Sequence, residues 1–424
     1  MDDTAERGPA PGPWSPAARA PAPVAPVYSG RRGRLFGLAL SRMLLTVLTL
    51  GLGRFWMVTR LRRHYWSSIS LAGDPFEYTG RAIEKLIGFL VALVILAVYL
   101  VVVNLALTFF GLSAFQGNIA ALQAPLLALA PLWFWARYRA RRYVLARTRW
   151  RGVRFGVEPG AWGYALRASL WWLATILSLG LLYPLMQLRL DRFMKDRTFF
   201  GDLRFEQRAT LGPLFRSWLW TWLSVAVIAG GAVGLAVVGS RDGRDEWFVV
   251  FATLIPMLTF LVGAVALLRH KVFSFRHLAS NTVLGGRTAA RVTLGFWRVV
   301  GVLLSAAIVH ALAVGAAFLV IAIVAAMIGF SLDNSSLTEI EAMMREDGLV
   351  ASLLPLAVLA ALYLPLVALW SALGHAFLTH PMIHAVCGSM VIFDLDAAGR
   401  ARQRPEDAAT EAGGFADALG ADGF

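Results

Sequence analysis

Residues 137–155, RYRARRYVLARTRWRGVRF, carry eight arginines directly after an apolar run, and related stretches recur at 60–76, 189–205 and 269–286. We call each of these four stretches a basic cassette. A cassette has paired basic residues, then an aromatic residue, and then a glycine about eight residues later, usually with a phenylalanine or valine beyond it. Basic residues in the loops are enough to orient a protein in a membrane, and they need no fixed distance to an aromatic residue or a glycine. The spacing therefore predicts a folded, repeated unit, with a short extended or hairpin element after each helix end.

The composition predicts an integral membrane protein. Hydrophobic residues make up 58% of the 424 residues and charged residues only 16%, whereas a soluble domain carries about 25% charged residues. Several uncharged runs reach the roughly 20 residues that cross a bilayer. The net charge is +14, and the basic residues lie beside apolar runs. We therefore expect the lipid bilayer and its anionic phospholipids as partners, and no nucleic acid.

Eight apolar runs leave two topologies open. If all eight crossed the membrane, the arginine-rich cassette at 137–155 would lie outside, against the positive-inside rule. If 35–53 and 168–188, which each contain a Leu-Gly-Leu break, enter and return instead, all four cassettes lie in the cytoplasm. We therefore predict an all-α polytopic fold with six transmembrane helices in three hairpins and two broken or re-entrant segments. Eight full transmembrane helices are the alternative.

The expected domain organisation is a membrane domain between two tails, in the bacterial inner membrane, with both termini cytoplasmic. No disulfide is expected, because Cys387 is the single cysteine. The predicted parts are a disordered Pro/Ala-rich tail 1–30, a membrane domain 31–395 with internal repeats at about 35–160 and 168–290 and a last hairpin 296–377, and a disordered acidic tail 396–424.

The cassette arginines are the first candidate site, since a guanidinium group binds phosphate through two parallel hydrogen bonds. Retention of these loops in the cytoplasm is the alternative explanation of the same charges. The candidate headgroup or anion contacts are Arg60, Arg62, Arg63, Arg139, Arg141, Arg142, Arg189 and Arg192.

Polar residues within apolar runs are the second candidate site, because such groups are costly in a membrane and often functional. They are Arg42, Asn104, Arg167 and His310. His310 could relay protons or contact a ligand, or it could be a neutral histidine bonded to a neighbouring helix. Arg42 and Arg167 are expected to extend their side chains to the interface.

No arrangement of residues predicts catalysis: HExxH, P-loop, GxSxG and CxxC motifs are all missing from the sequence. We therefore expect no enzyme activity and no cofactor. His375, His380 and His384 near Cys387 could suggest a metal site, but a fifth, degenerate cassette is expected at this place. No metal site is therefore predicted.

Four motifs carry a resemblance to a known family: LLTVLTLGLGRFW with RLRRHYW, RARRYVLARTRWRGVRFG, LATILSLGLLYPLMQLRLDRF and RHLASNTVLGG. With these motifs the chain resembles the YjgN-type bacterial inner-membrane proteins, a family defined as a domain of unknown function. The resemblance covers roughly residues 30–395. It implies a multi-pass inner-membrane location, but no substrate or catalytic residue. The first motif departs from the family pattern, with Gly-Arg-Phe-Trp where Pro-Trp is usual.

Two functions remain open from the sequence. Repeated units with breaks in corresponding positions are typical of transporters, which bind substrate between the repeats. A transporter-like protein with a site between helical hairpins is therefore the first hypothesis. The alternative is a protein that does not transport, but interacts with lipids or organises the envelope by binding anionic headgroups through its cassettes.

Overall fold

The computed structural model describes residues 22–109, 129–239, 246–331 and 363–404. Long apolar helices leave a central β-sheet, and shorter helices return the chain to it. The helices are α1 (Arg32–Leu48), α2 (Arg54–Ser68), α3 (Ala82–Phe109), α4 (Ala130–Ala146), α5 (Ala161–Leu177), α6 (Tyr183–Lys195), α7 (Leu211–Gly239), α8 (Glu246–Ser280), α9 (Phe296–Ser331), α10 (His380–Cys387) and α11 (Leu395–Gly399). A π-helical turn, Gly374–Thr379, precedes α10.

Ten short strands form one antiparallel sheet in sequence order. The strands are β1 (Val27–Tyr28), β2 (Ile69–Leu71), β3 (Asp74–Tyr78), β4 (Thr148–Trp150), β5 (Val153–Val157), β6 (Thr198–Phe200), β7 (Leu203–Gln207), β8 (Thr282–Leu284), β9 (Thr288–Val292) and β10 (Met390–Phe393). Each basic cassette therefore forms the end of a helix followed by a β-hairpin. The hairpin element expected after each helix end is confirmed.

The glycine of the cassette lies in the turn of the hairpin. In the cassette at 137–155 the turn consists of Arg151 (φ 51°) and Gly152 (φ 76°), and both residues have left-handed backbone conformations. A two-residue turn with positive φ at both positions matches the twist of the flanking strands, and glycine adopts this conformation without strain. In the cassettes at 60–76 and 269–286, Gly73 and Gly286 have the same left-handed conformation. The fixed position of the glycine is thus a requirement of the turn.

Each hairpin pairs with the next one in the sequence, and backbone hydrogen bonds join the two ends of the sheet. Phe76 of β3 pairs with Trp150 of β4, and Phe155 of β5 pairs with Phe200 of β6. Val24, which precedes β1, exchanges two backbone hydrogen bonds of 2.8 Å with Ile392 of β10. The strands therefore curve around a shared apolar interior, in which Trp150 and Phe200 are each 2% exposed.

Two helix pairs leave the sheet and return to it within a few turns. Helix α1 ends at Leu48, the chain turns at Leu50 (φ 51°) and Gly51 (φ 94°), and α2 leads back to β2. The pair α5 and α6 does the same through Leu179 (φ 51°) and Gly180 (φ 86°). Helices α1 and α5 have 17 residues each, fewer than the roughly 20 that cross a bilayer.

The predicted all-α class with six transmembrane helices in three hairpins is wrong. The structure contains a ten-stranded sheet, and among the described residues four helical segments are long and apolar enough to cross a membrane. The error has a physical cause, since strands of three to five residues show too little alternation to be recognised. The four segments are 82–103, 254–280, 296–323 and 363–387.

Parts of both expected tails lie against the sheet. Residues 24–28 pair with β10 and β2, and α11 packs its Leu395 and Ala398 into the interior. The remaining tail residues, 1–21 and 405–424, lie outside the described residues, as do 110–128, 240–245 and 332–362. The predicted domain and repeat boundaries stay a prediction.

Candidate functional site

A basic pocket lies between the start of α1 and the last turn of α2, close to β1. Its volume is about 760 Å³. We call it the α1–α2 pocket. It is lined by Ser29, Gly30, Arg31, Gly33, Arg34, His64, Ser67 and Ser68.

The start of α1 makes the pocket electropositive. Arg31 precedes the first turn in an extended conformation, no side chain caps the helix, and the first turn contains no acidic residue. The first N–H groups of a helix have no partner within it, and this end of the helix carries a partial positive charge. Arg31 and Arg34 add two full charges at the same place. The pocket is therefore complementary to an anion.

His64 presents an unpartnered nitrogen atom to this part of the molecule. Its Nε2 atom is buried and forms no hydrogen bond. Burial lowers the pKa of His64, and the charges of Arg34 and His380 lower it further. Leaving a buried polar atom without a partner costs about 1–3 kcal/mol. Because His64 also lines the pocket, an anion bound there would lie close to its ring.

Three elements far apart in the sequence hold the pocket in shape. The Ser29 N and Oγ atoms both donate to the Ser68 carbonyl oxygen, at 2.8 Å and 3.2 Å. The His380 Nε2 atom of α10 lies 2.9 Å from the Gly30 carbonyl oxygen. Because α1, α2 and α10 meet through these bonds, the pocket depends on the complete fold.

The predicted cassette arginines occupy three structurally different positions, and the structure does not bring all eight together. The first position is occupied by Arg60, Arg139 and Arg189. Arg60 and Arg189 are exposed, whereas Arg139 is partly buried and its guanidinium group lies 4.9 Å from the ring centre of Trp135. In the second position Arg62 is only 6% exposed and its guanidinium group lies 5.8 Å from the ring centre of Tyr78.

The arginine at the third position of a cassette holds the backbone at or just after the end of the hairpin. In each of three cassettes its guanidinium group donates to a carbonyl oxygen 15 to 17 residues further on. The bonds are Arg63 Nη2 to Gly80 O at 2.9 Å, Arg142 Nε to Val157 O at 3.1 Å, and Arg192 Nη2 to Ala209 O at 3.0 Å. These three arginines are therefore fixed by the protein itself.

Arg141 lies in a partly buried polar group with Asp191 and Lys195. Burial lowers the pKa of Arg141 and of Lys195, while the carboxylate of Asp191 acts in the opposite direction on both. Asp191 Oδ2 accepts a hydrogen bond from Gln207 Nε2. The group contains two cations and one carboxylate, so its interior charge is not balanced by its own members.

The polar residues of the apolar runs lie in four different helices, and none of them lines the α1–α2 pocket. His310 is 8% exposed; its Nδ1 atom lies 2.7 Å from the Ala306 carbonyl oxygen, and its Nε2 atom lies 3.3 Å from that of Trp370. Arg167 Nη1 donates to the Gly163 carbonyl oxygen at 2.9 Å. Arg42 is partly buried. Asn104 belongs to α3, and its side chain lies outside the described part of the chain.

A match to a protein family shows which proteins this chain is related to. The family described as "Bacterial protein of unknown function (DUF898)" matches residues 24–323, which is more than half of the 424 residues. The chain belongs to the DUF898 family. The expected resemblance to YjgN-type proteins is confirmed.

One curated relative of this DUF898 chain is the inner membrane protein YjgN of Salmonella typhimurium. It is 29% identical over 143 residues, which cover 32% of this chain and 33% of the relative. The match thus spans about a third of the relative's length. No solved structure matches the chain. The relative and the four apolar helical segments together support the expected membrane location.

The pocket residues of the DUF898 chain were not among the predicted contacts. Arg31, Arg34 and His64 became candidates only when the fold brought α1 and α2 together. The available signal was the basic sequence at 31–34 directly before an apolar run, without an acidic residue in the first turn. Within the described ranges, no group of three or more His, Cys, Asp or Glu residues is arranged for a metal ion.

Proposed function

We propose that this protein binds the phosphate-bearing headgroup of an anionic phospholipid in the α1–α2 pocket, at the cytoplasmic face of the bacterial inner membrane. The observation that carries this proposal is the pocket itself, in which an uncapped helix start, Arg31, Arg34 and the unpartnered His64 nitrogen converge. Binding, rather than catalysis, is the proposed activity.

The pairing of strands in one sheet supports the proposal that the pocket lies at the cytoplasmic face of the membrane. One continuous sheet lies on one side of a bilayer, and this sheet contains all four cassettes and residues close to both chain ends. The cassettes are rich in arginine, and basic loops favour the cytoplasmic side. On this ground we propose that the sheet, the pocket and the chain segments next to the sheet at both ends face the cytoplasm.

The course of α1 supports a lipid rather than a soluble phosphate compound. Helix α1 begins at the pocket and continues for 17 residues, or about 25 Å. Leu44, Leu45 and Leu48 are exposed along its second half, Leu48 by 80%. A lipid whose phosphate lies at the start of α1 could place its acyl chains along these leucines, where burial of apolar surface favours binding.

Replacing Arg34 with alanine should weaken binding of phosphatidylglycerol at least about tenfold, because the charged partner of the phosphate is lost. The measurement is the amount of phosphatidylglycerol retained by the purified protein in native mass spectrometry, with phosphatidylcholine as the uncharged competitor. Arg287→Ala is the matched control, since Arg287 is exposed in the turn between β8 and β9. Equal retention by both variants would exclude the pocket as the headgroup site.

Headgroup affinity should rise as the pH falls from 7.5 to 5.5. The lowered pKa keeps His64 neutral near pH 7, because burial and the charges of Arg34 and His380 all disfavour its protonated form. A bound phosphodiester favours the protonated form, so binding takes up a proton and strengthens at lower pH. His64→Gln should remove this dependence without abolishing binding. A pH profile shared by wild type and His64→Gln would contradict the role of His64.

Transport, the first hypothesis from the sequence, is supported by no contact among the described residues. His310 is bonded to carbonyl oxygens of its own and a neighbouring helical segment, as expected for a histidine that joins two helices. The cassette arginines of the third position are bonded to the backbone. Lipid binding without transport is therefore the function that we propose.

A further inference from the structure

The curved sheet lines an open, mostly apolar cavity that the proposed headgroup site does not use. We call it the sheet chamber; its volume is about 280 Å³, and α11 lies against it through Leu395 and Ala398. Its walls include Phe76, Trp150, Phe200 and Phe205. None of the residues that line the α1–α2 pocket lines the sheet chamber.

The chamber exists because one position breaks an aromatic pattern. The third residue of the second strand of each hairpin faces the interior, and the first three hairpins have Phe76, Phe155 and Phe205 there. The fourth hairpin has Ala290 at this position, where it pairs with Ile392. The missing ring leaves space in an interior that other phenylalanines fill.

Lys195, from the last turn of α6, gives the chamber wall a positive charge. The Lys195 Nζ atom donates to Thr282 Oγ1 at 3.2 Å, and both residues line the chamber. Among the described residues no carboxylate forms an ion pair with Lys195. Asp191 is near enough to act on its pKa but is bonded to Gln207, and Arg141 adds a second positive charge. A partly buried ammonium group that forms no ion pair is costly unless a ligand supplies a counterion.

We propose that the sheet chamber binds an unesterified linear fatty acid, with its carboxylate at the Lys195 amine and its chain among the aromatic rings. The apolar walls match an alkyl chain, and the single cation matches a single terminal carboxylate. If a methylene group occupies about as much space as a water molecule, roughly 30 Å³, the chamber holds about nine of them. A fatty acid of about ten carbons is thus the expected size class.

The test uses the full-length protein in nanodiscs and a ten-carbon fatty acid that carries a diazirine at its methyl end. After irradiation, labelled peptides are identified by mass spectrometry. We expect labelling of β6 and β7, prevented by an excess of decanoate but not by decanol, which lacks the carboxylate. Labelling that decanol prevents as well as decanoate would overturn the proposed role of the charge.

Two variants separate this site from a misfolded protein and from the headgroup pocket. Ala290→Phe restores the aromatic pattern and fills the chamber, so it should abolish labelling while the thermal transition stays the same or rises. Lys195→Met should reduce labelling at least about tenfold, whereas Lys195→Arg should retain it. Lys271→Met, at an exposed position of α8, is the matched control.

Failure of this proposal is distinguishable from failure of the headgroup site. Full labelling of Ala290→Phe, or equal labelling of Lys195→Met and Lys271→Met, would overturn the chamber proposal. Phosphatidylglycerol retention should be unchanged in Ala290→Phe, because the chamber and the α1–α2 pocket share no lining residue.

Discussion

Replacing Trp150 with alanine is expected to lower the free energy of unfolding by about 3–5 kcal/mol, the usual cost of removing a buried large aromatic side chain. Trp150 is 2% exposed at the end of β4. Its ring centre lies 6.4 Å from that of Phe76 and 5.8 Å from that of Phe200. It therefore joins the hairpins of the first three cassettes, and its loss should loosen the whole sheet.

The measurement is the thermal transition of the purified protein in a mild detergent, followed through the near-ultraviolet circular dichroism. Trp150→Phe is the first control: it keeps a ring in place and removes an indole N–H that has no partner, so a much smaller effect is expected. Trp220→Ala is the second, because Trp220 is 73% exposed. If Trp150→Ala were no more destabilising than Trp220→Ala, the aromatic interior would not hold the sheet together.

Replacing Arg192 with methionine is expected to cost about 1.5–3 kcal/mol of stability, the usual contribution of a hydrogen bond to a charged group. Arg192 Nη2 donates to the Ala209 carbonyl oxygen at 3.0 Å and thereby holds the chain that leaves β7. The methionine keeps most of the apolar stem but leaves this carbonyl without its donor. The effect should appear as a lower thermal transition with unchanged phosphatidylglycerol retention.

Arg189→Met is the matched control, since Arg189 belongs to the same cassette and is exposed. The same change of charge at an exposed position is expected to alter stability by no more than about 0.5 kcal/mol. Equal losses in the two variants would mean that the cassette stabilises the protein through net charge and not through the backbone bond.

Local features of the fold could be predicted from the sequence. The cassette glycine indicated a turn, and Gly152 indeed lies in a two-residue turn with positive φ. The Leu-Gly-Leu motifs indicated a break, and the chain turns directly after α1 and α5, at Leu50–Gly51 and Leu179–Gly180. In each case a few adjacent residues determine the conformation, so the pattern is readable without the remainder of the chain.

The sheet could not be predicted because its pairing is not local. A single hairpin with strands of three and five residues, such as β2 and β3, is marginal by itself. Its stability depends on the next hairpin, and β3 pairs with β4 about 70 residues later. Val24 and Ile392 close the arrangement from opposite ends of the chain. The sequence does not show which distant strands pair, and the predicted fold was therefore all-α.

The sequence predicted that the candidate site is positively charged, but not which residues form it. Arg192 and Arg189 look equivalent in the sequence, yet one holds a carbonyl oxygen and the other is exposed. His64 acquires its buried, unpartnered nitrogen only where α2 meets α1 and α10. A count of arginines therefore indicated an anion-binding surface, while the packing of helices decided where the pocket lies.

Photocrosslinking from position 67 would test the headgroup pocket most directly. Ser67 lines the pocket at the end of α2 and its side chain is exposed, so a benzophenone-bearing amino acid can replace it. In inner-membrane vesicles, irradiation should attach phosphatidylglycerol at position 67, but not when Arg34 is also replaced with alanine. Position 287 serves as the control for random contact with lipid. Attachment of phosphatidylglycerol at position 67 that matched position 287, or that persisted without Arg34, would contradict the proposed binding site.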